Sequence, residues 1–341
     1  MKLPKLKVGV VGLGYMGIHH ARVLKENPDV ELVALSDTNE ISLYKATERF
    51  GVTGYTDYKK LIGMVDAVNV VVPTTLHYEI AKSFLINGIH VLLEKPITRT
   101  LEEAKALNHL AKSSGVVLQV GHTERFNPAV MAVKNLVSKP LFIEANRMGP
   151  STFRNMDIGV VLELMIHDID ILLDLTKSPI KKIQALGASV YSPFEDIAIV
   201  QILFESGCLA SLVASRITVE KIRKLEITLE DTFISVDYLD QNISLRKQFS
   251  SGYVFEEGRP HYRKEFLVEK PFVGKEEPLK LEIQHFIDCI LKGKQPIISG
   301  EEALRSLSVA EQILLNMEIL ESSQKEELLK QCKNGKVLKL F

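Results

Sequence analysis

Near the N-terminus a β-branched run, Val8-Gly9-Val10-Val11, leads without a break into Gly12-Leu13-Gly14-Tyr15-Met16-Gly17. Ile18 to Leu24 then carries apolar residues at helical spacing. Strand, tight turn and helix in so few residues leave a narrow choice of folds. Gly12 permits the turn, Gly14 lets the backbone approach a pyrophosphate, and Gly17 lets the helix pack closely on the strand. The helix N-terminus offers its N–H groups to phosphate. A second apolar run, Val30 to Leu35, ends just before Asp37, about 20 residues beyond the glycines, where an acid meets the adenosine ribose. Such a carboxylate accepts from both ribose hydroxyls and repels a 2′-phosphate, and Thr38-Asn39 offers no arginine to offset that repulsion. The expected cofactor is NAD.

The alternation continues, with helical patterns over Ile41 to Phe50, Tyr58 to Met64, His77 to Asn87 and Leu101 to Lys112. Between them lie the apolar strands Ala67 to Val72, Val91 to Leu93 and Val116 to Val120. Repeated strand–helix units predict an α/β domain over residues 1–121 with a doubly wound parallel sheet. Its ligands belong beyond the carboxyl ends of the strands, where Gly12 to Gly17, Asp37, Pro73-Thr74-Thr75 and Glu94-Lys95-Pro96 fall. From residue 122 the rhythm changes. A helical piece from Pro128 to Val137, a strand from Leu141 to Arg147 and a helix from Gly159 to Leu175 precede β-like runs joined by short polar turns. Helices over Lys280 to Lys292 and Glu301 to Ser322 follow. Residues 122–341 therefore read as an α+β domain with a mainly antiparallel open sheet.

A chain of 341 residues suits two domains, and a net charge of -1 gives no electrostatic sign of a nucleic-acid or membrane partner. No apolar run approaches the roughly 18 residues of a membrane span, and Met1 to Lys7 lacks the apolar stretch of a signal peptide. Three cysteines, Cys208, Cys289 and Cys332, stand far apart, which suits a reducing compartment and a cytoplasmic protein.

Two stretches could carry chemistry. A lysine at the carboxyl end of a parallel strand, Lys95, can favour a developing alkoxide; otherwise it is a solvated surface charge. Glu163, His167, Asp168 and Asp170 crowd an otherwise apolar helix, with Glu163, His167 and Asp170 expected on one face. A carboxylate beside an imidazole suits acid–base work, although a buried histidine bonded to its neighbours has the same sequence. With no clear third ligand, no metal is expected.

Gly12-x-Gly14-x-x-Gly17, Pro73-Thr74-Thr75-Leu76-His77, Glu94-Lys95-Pro96, Gly121-His122-Thr123-Glu124-Arg125-Phe126-Asn127-Pro128 and the His167-x-x-Asp170 helix, in that order, resemble the glucose-fructose oxidoreductase and inositol dehydrogenase family. The resemblance implies a Rossmann domain, then a domain whose open sheet supports homodimers or homotetramers. It implies Lys95 and His167 as the catalytic pair, with a carboxylate four residues before the histidine; that residue is usually aspartate, and here it is Glu163. Cofactor contacts are implied at Gly12, Gly14, Tyr15, Met16, Gly17, Asp37, Pro73, Thr74, Thr75, His77, Glu94, Lys95 and His122. The segment around Asn146 to Asp170 is most similar to the branch that oxidises a UDP-linked N-acetylhexosamine at C3. Arg125, Arg147, Arg154 and Arg216 lie in the segment expected to face the cofactor domain and could hold a pyrophosphate. Inositol or free-sugar oxidation, and the family's non-catalytic dinucleotide-binding sensors, are the alternatives; the sensors lack the Lys and His pair.

Overall fold

In the computed structural model, which describes residues 4–151, 158–256 and 259–321, the chain divides into two units. Residues 1–126 and 276–308 form the first, and residues 127–275 and 309–341 the second. The first unit begins with β1 (Leu6–Val11), α1 (Tyr15–Glu26), β2 (Val30–Ser36), α2 (Glu40–Phe50) and β3 (Thr53–Tyr55). It continues with β4 (Ala67–Val70), α3 (His77–Ile86), β5 (His90–Glu94), α4 (Leu101–Ser113) and β6 (Leu118–Gly121). The strands form one parallel sheet in the order β3-β2-β1-β4-β5-β6, so strand order reverses beside β1. All four residues of β4 are buried, as a strand covered by helices on both faces requires. Side chains fix the helix starts: Asn39 accepts from Ser42 N–H and Thr100 from Glu103 N–H.

The second unit contains α5 (Pro128–Lys134), β7 (Phe142–Pro150), a π-helical turn over Val161–Met165 and α6 (Ile166–Thr176). Then come β8 (Ile180–Ser189), β9 (Ile197–Phe204), β10 (Leu209–Ser215), β11 (Ile217–Thr228), β12 (Thr232–Asp237), β13 (Asn242–Glu256) and β14 (Arg259–Glu269). After α7 (Pro278–Lys292) and α8 (Gly300–Leu315), β15 (Met317–Glu321) ends the described chain. The sheet runs β14-β13-β12-β11-β7-β10-β9-β8-β15, and only the β7–β10 and β8–β15 pairings are parallel. One face carries Ile143, Ala145, Val200, Ile202 and Leu212 into a core with α5 and α6. On the other, Leu186 pairs with Ile199 and Ile199 with Val213 in a row across three strands, with Leu186 and Ile199 about half exposed.

Three sequence expectations change. Residues 276–308 join the first unit rather than the second, because Leu279, Ile283, Phe286 and Ile287 of α7 enter the core built on β1 and β2. The last helix stops at Leu315, and Met317–Glu321 pairs with β8 as a strand, an exchange of local helical preference for sheet hydrogen bonds. The helix expected from Gly159 is not a uniform α-helix: Ile166 N–H reaches back to Val161 O, which widens one turn. No helix among the described residues is long and apolar enough to cross a membrane.

Phe286 is fully buried in the first core. Phe286→Ala should therefore lower unfolding free energy by about 3–5 kcal/mol, measured by urea denaturation followed by circular dichroism; a loss below 1 kcal/mol would remove α7 from that core.

Candidate functional site

The glycine turn is built by close backbone contact. Gly12 has φ +91° and donates to Ser36 O at 2.8 Å; a Cβ on it would stand 2.1 Å from Val71 O. A Cβ on Gly17 would stand 1.9 Å from Gly12 O, so only glycine lets α1 begin there. At Gly14 a Cβ would meet nothing within 4 Å, and Gly14 caps α1 without a side-chain hydrogen bond. Open space beside helix N–H groups fits a dinucleotide diphosphate. Asp37 Oδ2 accepts from Leu13 N–H at 2.6 Å and Oδ1 from Asn39 N–H at 2.7 Å, which fixes the carboxylate at the turn. Tyr15, 63% exposed, lies edge-on to His19. Met16 is half-buried.

The remaining first-unit candidates lie at the same sheet edge. Pro73 and Thr75 are exposed and Thr74 half-buried after β4, Lys95 is half-buried after β5, and His122 is buried after β6. His77 is buried as well, with Nδ1 2.8 Å from Pro96 O and Nε2 2.9 Å from Val72 O. Burial pushes its imidazole below the ordinary histidine range, against those two backbone bonds. His77 thus braces the strand-end loops rather than offering its ring to a ligand. Glu94 places Oε1 3.1 Å from His20 Nε2 and Oε2 3.1 Å from Lys95 N–H. Burial raises its carboxyl, but the His20 hydrogen bond and the nearby positive charge outweigh that, leaving it below the usual carboxylate range.

Sequence reasoning missed His20, Asn69 and Glu282. His20 is buried in α1, and its ring joins Glu94 to Asn69. Glu282 of α7 is fully buried and accepts from Thr123 Oγ1 at 2.9 Å. Burial first, then the charge of Glu94, raises its carboxyl well above the ordinary range. No local pattern distinguishes His20 and Glu282 from ordinary helix positions, or Asn69 from the other residues of its strand.

In the second unit His167 is half-buried at the start of α6. Arg147 of β7 binds the adjacent Asp168 through two hydrogen bonds of 2.6 and 2.8 Å, with its guanidinium 5.1 Å from the Tyr238 ring centroid. Arg216 donates to Asp196 at 2.6 Å, Ser192 at 2.7 Å, Ile158 O at 2.9 Å and Glu163 at 3.1 Å. Burial raises the Asp196 carboxyl, but donors from Ser192, Arg216, Tyr191 and Val190 bring it below its ordinary value. Glu195, raised by burial, accepts from Val161 N–H at the π turn. A Cβ on Gly159 would stand 1.9 Å from the Glu195 carboxylate.

These contacts correct the reading of the arginines. Arg147 and Arg216, expected at a substrate pyrophosphate, are buried and committed to carboxylates. The one-face arrangement of Glu163, His167 and Asp170 assumed a regular helix; the wide turn intervenes, and Glu163 is held by Arg216. Asp170 is buried in α6. Arg125 is buried in the short helical turn after β6, and Arg154 lies outside the described residues. No cluster of three or more metal-ligating side chains occurs among the described residues.

Residues 6–122 match the family described as an oxidoreductase family with an NAD-binding Rossmann fold, and residues 143–234 match the GFO/IDH/MocA C-terminal domain. UDP-N-acetylglucosamine 3-dehydrogenase of Acidithiobacillus ferrooxidans is 30% identical over 92% of this chain and 97% of its own. The scyllo-inositol 2-dehydrogenase (NAD(+)) of Bacillus subtilis is 28% identical over 89% of this chain and 92% of its own. A solved structure of the Acidithiobacillus protein superposes with a TM-score of 0.82 at 28% identity, covering 93% of this chain and 99% of that one.

Two outcomes follow from the first unit. NAD should bind more tightly than NADP in a fluorescence titration, and Asp37→Asn, which keeps an acceptor for Leu13 N–H but removes the charge, should narrow the difference; equal wild-type affinities would oppose the assignment. Glu282 keeps its proton in the folded chain above the ordinary glutamate value of 4.5, so its contribution to stability is complete below that pH and is lost as pH rises. The melting temperature of Glu282→Gln should gain on wild type between about pH 5 and pH 8, whereas a pH-independent difference would argue against the buried proton.

Proposed function

The chain belongs to the GFO/IDH/MocA oxidoreductase family as an NAD-dependent dehydrogenase, and from that premise we propose that it oxidises C3 of a UDP-linked N-acetylhexosamine to a ketone. The observation that carries this reading is the end-to-end likeness to UDP-N-acetylglucosamine 3-dehydrogenase in sequence and in fold.

The residues that would hold NAD are Gly12 to Gly17 at the diphosphate, Asp37 at the ribose, and the loops bearing Thr74, Lys95 and His122 towards the nicotinamide. When bound, NAD supplies the hydride acceptor. His167 takes the proton of the reacting hydroxyl as its carbon gives up hydride and the carbon–oxygen bond becomes double. Lys95 stabilises the negative charge that develops on that oxygen. Glu163 occupies the position of the family's usual carboxylate four residues before His167, with Arg216 donating to it. Of the four arginines singled out in the sequence, Arg147 and Arg216 are paired with carboxylates within the fold. The apolar row Leu186, Ile199 and Val213 supports a homodimer or homotetramer formed through the open face of the second sheet. The second reading, inositol oxidation, is favoured by the likeness to scyllo-inositol 2-dehydrogenase.

UDP-N-acetylglucosamine deuterated at C3 should pass deuterium to NAD, read by mass spectrometry of the NADH, with an aminotransferase and glutamate present to draw off the ketone. No transfer, together with rapid NAD reduction by an inositol, would move the assignment to that substrate class. His167→Asn should lower turnover about a hundredfold to ten-thousandfold at near-normal NAD affinity; unchanged turnover would return His167 to a structural role.

A further inference from the structure

Two histidines unused by this chemistry contact the residues on either side of Lys95, His20 reaching Glu94 and His77 reaching Pro96. His20, 1% exposed, stands in α1 just past the glycine turn, with Nε2 3.1 Å from Glu94 Oε1 and Nδ1 3.0 Å from Asn69 Nδ2. An amide nitrogen only donates, so Nδ1 accepts and the ring proton sits on Nε2, aimed at Glu94. The other Glu94 oxygen accepts from Lys95 N–H at 3.1 Å. Across the sheet Glu94 pairs with Gly121, where a Cβ would stand 3.1 Å from Oε2, so the carboxylate fills the space a side chain would need.

The second histidine acts on the other side of Lys95. His77, also 1% exposed, reaches Pro96 O at 2.8 Å and Val72 O at 2.9 Å, linking the loop after β5 to the end of β4. Burying an imidazole is costly unless its nitrogens find partners; His20 stands between a donor and an acceptor, whereas a neutral His77 carries one N–H and donates to one of its two carbonyls.

We propose that His20, acting through the Glu94 carboxylate, and His77, acting through the Pro96 carbonyl, are positioning residues that fix the backbone of Lys95. The proposal rests on the reading of Lys95 as the group that stabilises the alkoxide. It makes Glu94 a support for Lys95, with both carboxylate oxygens already engaged inside the fold. It also ties Lys95 to α1, the helix that opens on the cofactor turn.

Two polar variants separate positioning from packing. Glutamine at position 20 reaches as far as Nε2 and can donate to Glu94, whereas asparagine reaches only as far as Nδ1 and serves Asn69 alone. His20→Asn should lower kcat about tenfold to a hundredfold, with KM and NAD affinity within about twofold, and His20→Gln should recover most of the loss. The pH profile of Lys95 acylation by acetic anhydride, read by mass spectrometry on the full-length protein, should be displaced in His20→Asn and restored in His20→Gln. Should His20→Asn not fold, Gly121→Ala presses on Glu94 from β6 and should displace the same profile. Equal behaviour of the Asn and Gln variants, or a wild-type Lys95 profile in His20→Asn or Gly121→Ala, would overturn the proposal. Full turnover in Lys95→Met would instead remove the catalytic reading of Lys95, and the acylation profiles would still decide whether the histidines hold it.

Discussion

The approach of Gly17 to the carbonyl of Gly12 governs the whole cofactor edge, because the 1.9 Å left for a Cβ admits no side chain. That contact sets α1 against β1. It thereby places Leu13 N–H on Asp37, opens the space at Gly14, and carries His20 inward to Glu94. A steric absence thus controls polar contacts spread over three strands. Glycine is required at position 17 for its size, and at Gly12 for its positive φ as well.

Buried charge organises both units, by different means. In the first, donors hold the Glu94 carboxyl below its ordinary range, while burial and the charge of Glu94 push the Glu282 carboxyl well above it. In the second, Asp168, Asp196 and Glu163 bind guanidinium groups. Removing ions from water is expensive, so such pairs are poor sources of net stability but strong constraints on geometry. Asp168 is the next residue after His167, and its two bonds to Arg147 lock that turn of α6 to β7. Arg216 similarly ties Glu163 and Ile158 at either side of the π turn's first residues to Asp196.

Much of this was legible in the sequence wherever the signal is local. The glycine spacing, the apolar strands and the acid at Asp37 are short-range patterns, and the parallel sheet followed from their alternation. What stayed hidden depends on distant partners. A guanidinium suited to phosphate is equally suited to a buried carboxylate, and nothing near Arg147 or Arg216 announces Asp168 or Asp196. The π turn has the composition of any apolar helix, so its extra width arises where Glu195 and Arg216 hold its start. Met317–Glu321 continues a helical pattern and becomes strand only because β8 offers an edge. Likewise, α7 is an ordinary amphipathic helix whose membership is decided by the core that receives Phe286.

That membership makes the cofactor-binding unit discontinuous in the chain. During synthesis, the six strands of its sheet are complete at Gly121, yet the residues that close its core, Leu279 to Ile287, emerge only after the whole β7–β14 segment has been made. At a translation rate of about 5–20 residues per second, the nascent sheet waits some seconds with apolar surface uncovered. The second unit waits longer still, because Val309, Ala310 and Ile313 of α8 enter its core, and β15 its sheet, only after α7 has been made.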